Sequence, residues 1–544
     1  MRVGNWASAP HHRSQLTLFS PSLDDMIPPG HQIRGLEQLV QLFDWSDWEA
    51  GYDGHRGQPP IHPSLIAGAI LYGLKEGIRS SRKLEDATKM RIDFMWFLNG
   101  RVIDHSTFAA FRTRFGSELR DLFKQLAVLA INRAVEIELA VDGTRIRASS
   151  SRTGALTADG IERRAAQVAK QLTEALERME QADLFEGDDG ESPEQLEKRI
   201  HRLEREQEEL ARALEKARER DEAKARKADK RMAATARVPV TDPDAHVLTN
   251  KEGGYAPNYT PTVAVDTATG TIVDAQVPTG SDEAGVVDDA VAAAEKLGKG
   301  KLSGVLFDSA FATGSNLEKL SSDCVPVYAP TGVADASNPA VRPDPSTAVA
   351  PEKWDALPMQ GKKRRVLARQ AFIYDPQDDC YRCPMGRALE WKRSTKRDGV
   401  QVAKYLCGDC SNCPLASKCL SKKAKKRSIW RDQFEPFREE LKERMNTDRA
   451  RQIYRRRAPT AEGVIGHIKH VMGIRHFLLR GQEKVRTEWL WACSAHNLSK
   501  ILNSGWDAVE KQLSALKTRL RPCTAVLSRP RPYIMITSSR CLAA

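Results

Sequence analysis

Hydrophobic positions along this chain of 544 residues change period several times, and each change marks an element. From His62 onward, Leu65, Ile66, Ala69, Ile70 and Leu74 fall at helical spacing, and the pattern stops near Gly77. SSRKLEDATKM predicts a second helix behind a serine cap, and FMWFLNG an aromatic segment set against the core. DHSTFAAFRTRF predicts a further helix behind a Ser/Thr cap, carrying Arg112 and Arg114. Short helices that end in basic residues suit a helix-turn-helix-like DNA-binding unit, and equally a plain helical packing domain.

The period then drops to two. Ile137, Leu139 and Val141 alternate with Glu138 and Ala140, a half-buried strand ending on Asp142-Gly143. Taken alone, Asp-Gly reads first as a hairpin turn. YTPTVAVDTATGTIVDAQV predicts two strands joined by a Gly-containing turn, and VDDAVAAAEKL a helix. KLSGVLFDSAFATGSNLEKL predicts a short strand (Val305, Leu306, Phe307) ending on Asp308 before a turn into a helix. Open α/β sheets place ligands at such strand ends, although turn and cap aspartates share the signature.

Residues 161–235 follow a helical seam instead. Ile161, Val168, Leu172, Leu176 and Met179 form one arm, and Leu196, Ile200, Leu203, Gln207, Leu210, Leu214 and Ala217 the other. The second arm opens on Ser192-Pro193-Glu194-Gln195, which offers an N-cap, a first-turn proline and a capping-box glutamine. This predicts an antiparallel coiled-coil hairpin turning at DLFEGDDGES.

Late in the chain, YRRRAPTAEGVIGHIKHVMGIRHFLLRG (residues 454–481) holds a single acid, Glu462, among Arg, Lys and His. A helix from Pro459 would put Glu462 and Lys469 on one face, roughly 10 Å apart. A lone carboxylate among cations suits divalent-metal phosphoryl transfer, and equally a solvated charged helix. TEWLWACSAHNLSKIL predicts an apolar helix that closes the core, and the Pro/Arg-rich tail from Arg519 suggests no function.

Charge sharpens the picture. Lys plus Arg number 84 against 72 Asp plus Glu, a net +12, which favours a polyanionic partner, nucleic acid before membrane. The start lacks a signal-peptide core and no run approaches the ~20 apolar residues of a membrane span, so a cytoplasmic, nucleoid-associated protein is expected. Six of the ten cysteines crowd between Cys380 and Cys419. C-x2-C pairs at this spacing suit a structural Zn2+. Cys383, Cys410, Cys413 and Cys419 form one ligand set; Cys380, Cys383, Cys410 and Cys413 another; Cys407 is a further alternative. Free thiols or an iron–sulfur cluster remain open. The basic, aromatic KKAKKRSIWRDQF then suits a nucleic-acid backbone or a solvated face.

AVDGTRIRAS, VLFDSAFATGSNLEKL and Tyr454-x2-Arg457-x4-Glu462-x6-Lys469 followed by GIRHFLLRG resemble the bacterial insertion-sequence DDE transposases. PPIHPSLIAGAILYGLKEGIRSSRKLEDA…DHSTFAAFRTRF resembles their helical DNA-binding domain, and YRCP…CPLASKC a Cys-rich subgroup. The resemblance covers most of residues 30–500 but not the hairpin or the tail. It implies an α/β fold with an RNase H-like core in which Asp142, Asp308 and Glu462 hold two Mg2+ ions, with Mn2+ able to substitute. It implies that Tyr454, Arg457 and Lys469 contact DNA, with Arg112 and Arg114 in the N-terminal unit. Related groups place three residues between the Arg and the Glu; here there are four, so Arg455 and Arg456 are alternative counterparts.

The expected domains are a leader (1–30), a helical DNA-binding domain (31–135), a core split over 136–160, 237–323 and 436–505, a coiled-coil insertion (161–236), a Cys-rich insertion (324–435) and a tail (506–544). The expected partners are double-stranded DNA, both transposon ends and target, and a second copy of the chain when DNA-bound. The implied chemistry is hydrolysis at each terminal inverted repeat and then attack of the freed 3′-OH on target DNA. A nuclease that cuts without joining, and a non-catalytic DNA-binding protein from a decayed element, are the rivals.

Overall fold

The computed structural model of the chain describes residues 22–52, 59–131, 136–182, 192–227, 235–249, 253–280, 284–297, 302–331, 338–361, 365–397, 399–421 and 424–504. The leader before residue 22, most of the hairpin turn and the tail lie outside the described residues.

Five strands form the central sheet: β1 (Ile137–Gly143), β2 (Thr262–Asp266), β3 (Ile272–Gln276), β4 (Leu302–Leu306) and β5 (Val327–Tyr328), in the order β5-β4-β1-β2-β3. The β1–β2 and β2–β3 pairs are antiparallel, whereas β4 and β5 run parallel to β1. The expected β2–β3 hairpin and the strand through Ile137, Leu139 and Val141 are both present. Asp142-Gly143 is not a hairpin turn, because β1 pairs with β2 through Gly143.

Both faces of the sheet are covered. Leu139, Val141, Ala264, Val273 and Val305 pack against the helices Val287–Leu297, Gly314–Ser322 and Glu435–Met445. Val263, Val265, Ile272 and Ala275 pack against the helix Gln482–Asn503, buried almost continuously from Trp489 to Leu502. The far side of that helix receives Gln32–Val40, Pro63–Lys75, His105–Arg114 and Gly116–Ile131. A helix enclosed on all sides has to be apolar all round, hence TEWLWACSAHNLSKIL. These N-terminal helices and the helix Gln482–Asn503 share one continuous hydrophobic core. The cap of His105–Arg114 is Asp104, which accepts the Ser106 N–H at 2.6 Å, rather than the Ser or Thr after it.

Asn497 ties this helix to the edge strand. Its Oδ1 accepts the Ile272 N–H at 2.9 Å and its Nδ2 donates to the Ile272 carbonyl at 2.8 Å, with the side chain fully buried. Asn497→Leu strips both partners from buried backbone groups, at about 1–3 kcal/mol each. The expected outcome is a loss of several kcal/mol in urea unfolding, with the m-value unchanged.

The helices Ala158–Ala182 and Pro193–Lys227 pack against each other around Ile161, Val168, Ile200, Leu203 and Leu210. The pairs Arg164–Glu206 and Arg218–Glu162 show that the two run antiparallel. The capping box closes, with Ser192 N–H donating to Gln195 Oε1 at 3.0 Å and Gln195 N–H to Ser192 Oγ at 3.3 Å. The Cys-rich segment is a five-stranded antiparallel sheet running from Ile373–Asp375 to Ser428–Asp432, with its own core around Leu389, Tyr405 and Ile429. No described helix is long and apolar enough to cross a membrane.

Candidate active site

Strand register brings the two aspartates together. Ala140 of β1 lies opposite Leu306 of β4 in parallel pairing, and Asp142 and Asp308 each come two residues later. Parallel neighbours lie ~4.8 Å apart, so the two carboxylates leave the same end of the sheet side by side. Asp142 is buried and accepts the Gly143 N–H at 2.9 Å; Asp308 is half-buried and accepts the Ala310 N–H at 2.9 Å.

Glu462 reaches the same place from a helix of unusual winding. Ala458–Glu462 is a π-helical turn, succeeded by an α-turn Gly463–Gly466 and a second π-turn His467–Val471. A π-turn spaces bonded residues five apart rather than four, so it absorbs one extra residue and keeps the rest of the helix on its face. Arg457 and Glu462 are five apart, and Arg457 Nη1 lies 3.6 Å from Glu462 Oε1. The four-residue spacing is thereby reconciled, and Arg457 is the arginine that faces the acids. Arg456 instead pairs with Glu138 at 3.4 Å.

Arg457 bridges the site. Its Nη2 lies 2.8 Å from Asp142 Oδ1, its side chain is only 11% exposed, and its Nε is buried with no hydrogen-bond partner. Burial pushes the Asp142 carboxyl up from its ordinary value; the Arg457 charge and the Gly143 N–H oppose this, while Asp308 and Glu462 add to it. Tyr454 is half-buried at the same place: burial raises its phenol, Arg457 opposes, and Asp308 and Asp142 add to the rise. Lys469 donates to Thr144 Oγ1 and, at 2.9 Å, to the Arg145 carbonyl, two and three residues beyond Asp142. Six residues that lie more than 300 positions apart at the extremes thus share one site.

The three acids do not close to within 4.8 Å of one another. Among the described residues, the groups that do are Glu85–Asp104–His105 and Asp375–Asp378–Cys380. Both have structural explanations, since Glu85 accepts from His105 and pairs with Lys89, and Arg382 holds Asp375 and Asp378. A wider triad suits two ions about 3.5–4 Å apart better than one closed cage. The donors also suit the group: three hard oxygen ligands, mutually repulsive, with an arginine already between two of them.

The other expected residues divide. The Arg112 side chain turns inward and donates to the Arg79 carbonyl, and the Arg112 backbone carbonyl accepts from Trp491 Nε1 at 3.3 Å; burial pulls the guanidinium down to about 10. Its backbone carbonyl ties the helical unit to the closing helix. Arg114 is exposed and lies over Tyr52 and Phe115, 4.9 and 5.1 Å from the ring centroids. In the Cys-rich segment, Cys383, Cys407, Cys410, Cys413 and Cys419 line one cavity of about 20 Å³. Cys380 is not among them; it lies with Asp375 and Asp378. Burial, and behind it the neighbouring sulfurs, pushes the Cys407 thiol up to about 12; burial does the same at Cys419.

Two family models match the chain. A transposase DDE domain matches residues 382–502, and a second transposase domain (DUF772) matches residues 21–114. The two matches together indicate an insertion-sequence DDE transposase. The first match takes in Glu462 with Tyr454, Arg457 and Lys469, whereas both aspartates of the transposase lie between the two matched segments. No curated protein and no solved structure matches the transposase.

Proposed function

We propose that this transposase binds the terminal inverted repeats of an insertion sequence, cleaves phosphodiester bonds there and joins the freed 3′-OH ends to target DNA. The observation that carries the reading is the convergence of Asp142, Asp308 and Glu462 at one end of the β5-β4-β1-β2-β3 sheet. In order of appearance those strands stand 5-4-1-2-3, with the first three antiparallel, an order that supports an RNase H-like core.

Asp142, Asp308 and Glu462 would hold Mg2+, or Mn2+ in its place. When bound, the ions lower the cost of forming the attacking oxygen and stabilise the leaving one. The rest falls to the chain itself. Lys469 and Arg457 bring positive charge to either side of Asp142, so a phosphodiester entering the site finds cations beside the acids. Tyr454 flanks Arg457 and keeps its proton at neutral pH. The β1–β4 register holds the two aspartates at fixed separation through hydrolysis and joining alike. In the Cys-rich segment, the five gathered sulfurs support a structural Zn2+. Pairing two DNA ends supports a dimer in the DNA-bound state, and the match over 21–114 supports a DNA-binding role for the N-terminal helices.

Supercoiled plasmid carrying the element's ends, incubated with Mg2+, tests the reading. Cleavage at the ends and then joining of pre-cut ends is expected; cleavage without joining would leave only a nuclease.

A stability prediction arises from the same geometry. The Asp142 carboxyl is raised in the folded state, so its ionised form opposes folding at neutral pH. That penalty fades as pH falls through the raised value. Asp142→Asn in metal-free protein is therefore expected to raise Tm at neutral pH, with the gain shrinking on acidification. A lower Tm at neutral pH would show that the Arg457 pairing outweighs the burial.

A further inference from the structure

Past Asp142 the chain continues as an extended segment whose exposed positions are arginines. Arg145 and Arg147 are exposed while Ile146 and Ala148 are buried. Ile146–Arg147 pairs with Tyr255–Tyr259 on one side, and on the other Arg147 bonds the segment around His476, with Phe477 N–H donating to the Arg147 carbonyl at 2.8 Å. This register is why Arg480 comes alongside, its Nε donating to the Ser149 carbonyl at 2.8 Å. Lys469 bonds the Arg145 carbonyl at the near end.

From the acids outward the cations therefore run Lys469, Arg145, Arg147, Arg480. Alternate strand positions lie ~6.6 Å apart, close to twice the ~3.4 Å axial spacing of charges along one DNA strand. Among the described residues, Arg145, Arg147 and Arg480 make no ion pair within 4.0 Å, although the Arg480 charge acts on the buried Asp242 carboxyl. Arg145 is held by Thr249 instead, its Nη1 donating to the Thr249 carbonyl at 2.5 Å and to Thr249 Oγ1 at 3.0 Å. His476, level with Arg147, is pushed down first by burial and then by the Arg79 and Arg147 charges, against the opposing charge of Glu488. Elsewhere the chain pairs its exposed cations freely, as along the coiled-coil hairpin.

We propose that Arg145, Arg147 and Arg480 form a track, begun by Lys469, that holds the sugar-phosphate backbone of duplex DNA where it leaves the Asp142–Asp308–Glu462 site. The proposal rests on the transposase reading and adds to it the path of the DNA. These three arginines are positioning residues: they set the register of the duplex against the acids without touching the reacting phosphate.

The test is the salt dependence of binding, measured by fluorescence anisotropy with full-length protein and a duplex oligonucleotide over a range of KCl concentrations. Each phosphate contact contributes about 0.9 to the slope of log K against log salt, so Arg145→Gln/Arg147→Gln should flatten it by about 1.8. Arg147→Lys, which keeps the charge, should retain more of the slope than Arg147→Gln, and this pair gives the answer even if the double variant folds poorly. A double variant with the wild-type slope, or Arg147→Gln matching Arg147→Lys, overturns the track while leaving the transposase reading intact. Wild-type protein that shows no salt-dependent binding to duplex DNA overturns both.

Discussion

Replacing Glu462 with Gln is expected to cut DNA cleavage by about 10³-fold or more, since a lost metal ligand forfeits several kcal/mol of transition-state stabilisation. Binding to duplex DNA should change little. The Glu462 side chain is 61% exposed and its only described ion pair is the 3.6 Å contact with Arg457, so the substitution removes little packing. The effect should fall on kcat, because a carboxylate that holds the metal would act on charge that develops during the reaction. Asp308→Asn should behave alike, as Asp308 sits beside Asp142 through the β1–β4 register. A Glu462→Gln protein that cleaves at near wild-type rate would show that the late helix contributes scaffold and not chemistry.

The second large effect concerns the Cys-rich segment. Five sulfurs gathered around a cavity of about 20 Å³ leave room for one ion, and a structural Zn2+ contributes about 10–16 kcal/mol of apparent folding free energy in small domains. Purified protein is expected to contain one zinc per chain, lost on strong chelation together with the near-UV signal of Tyr381 and Tyr405, which pack in the same sheet. Cys410→Ser should reproduce that loss, whereas Cys380→Ser should not, because Cys380 lies outside the cavity. Full retention of structure after chelation would identify the cluster as buried thiols.

Much of this was legible in the residues because the signals were local. The alternation of Ile137, Leu139 and Val141 marks β1, and a carboxylate stands at the end of each of the two strands that matter. The apolar helix from Gln482 announces its own burial. Pairing register is not local, so nothing in the segments themselves shows Ala140 opposite Leu306. The extra residue before Glu462 is visible as spacing, but its resolution by a π-turn depends on backbone winding. Arg112 and Arg114 look equivalent in sequence; only the fold carries the Arg112 side chain to the Arg79 carbonyl and leaves Arg114 exposed. Cys407 joins the cysteine cluster and Cys380 leaves it because neighbouring sheet positions face opposite sides. The alternation Arg145-Ile146-Arg147 was the available signal for the arginine track, masked by its proximity to Asp142.

The most direct test counts ions. Mn2+ titrated into the transposase bound to duplex DNA and monitored by electron paramagnetic resonance should show about two bound ions per chain. Asp142→Asn and Asp308→Asn should each weaken or abolish that binding at neutral pH. Undiminished Mn2+ binding in both variants would contradict the claim that these strand-end aspartates, with Glu462, hold the metal.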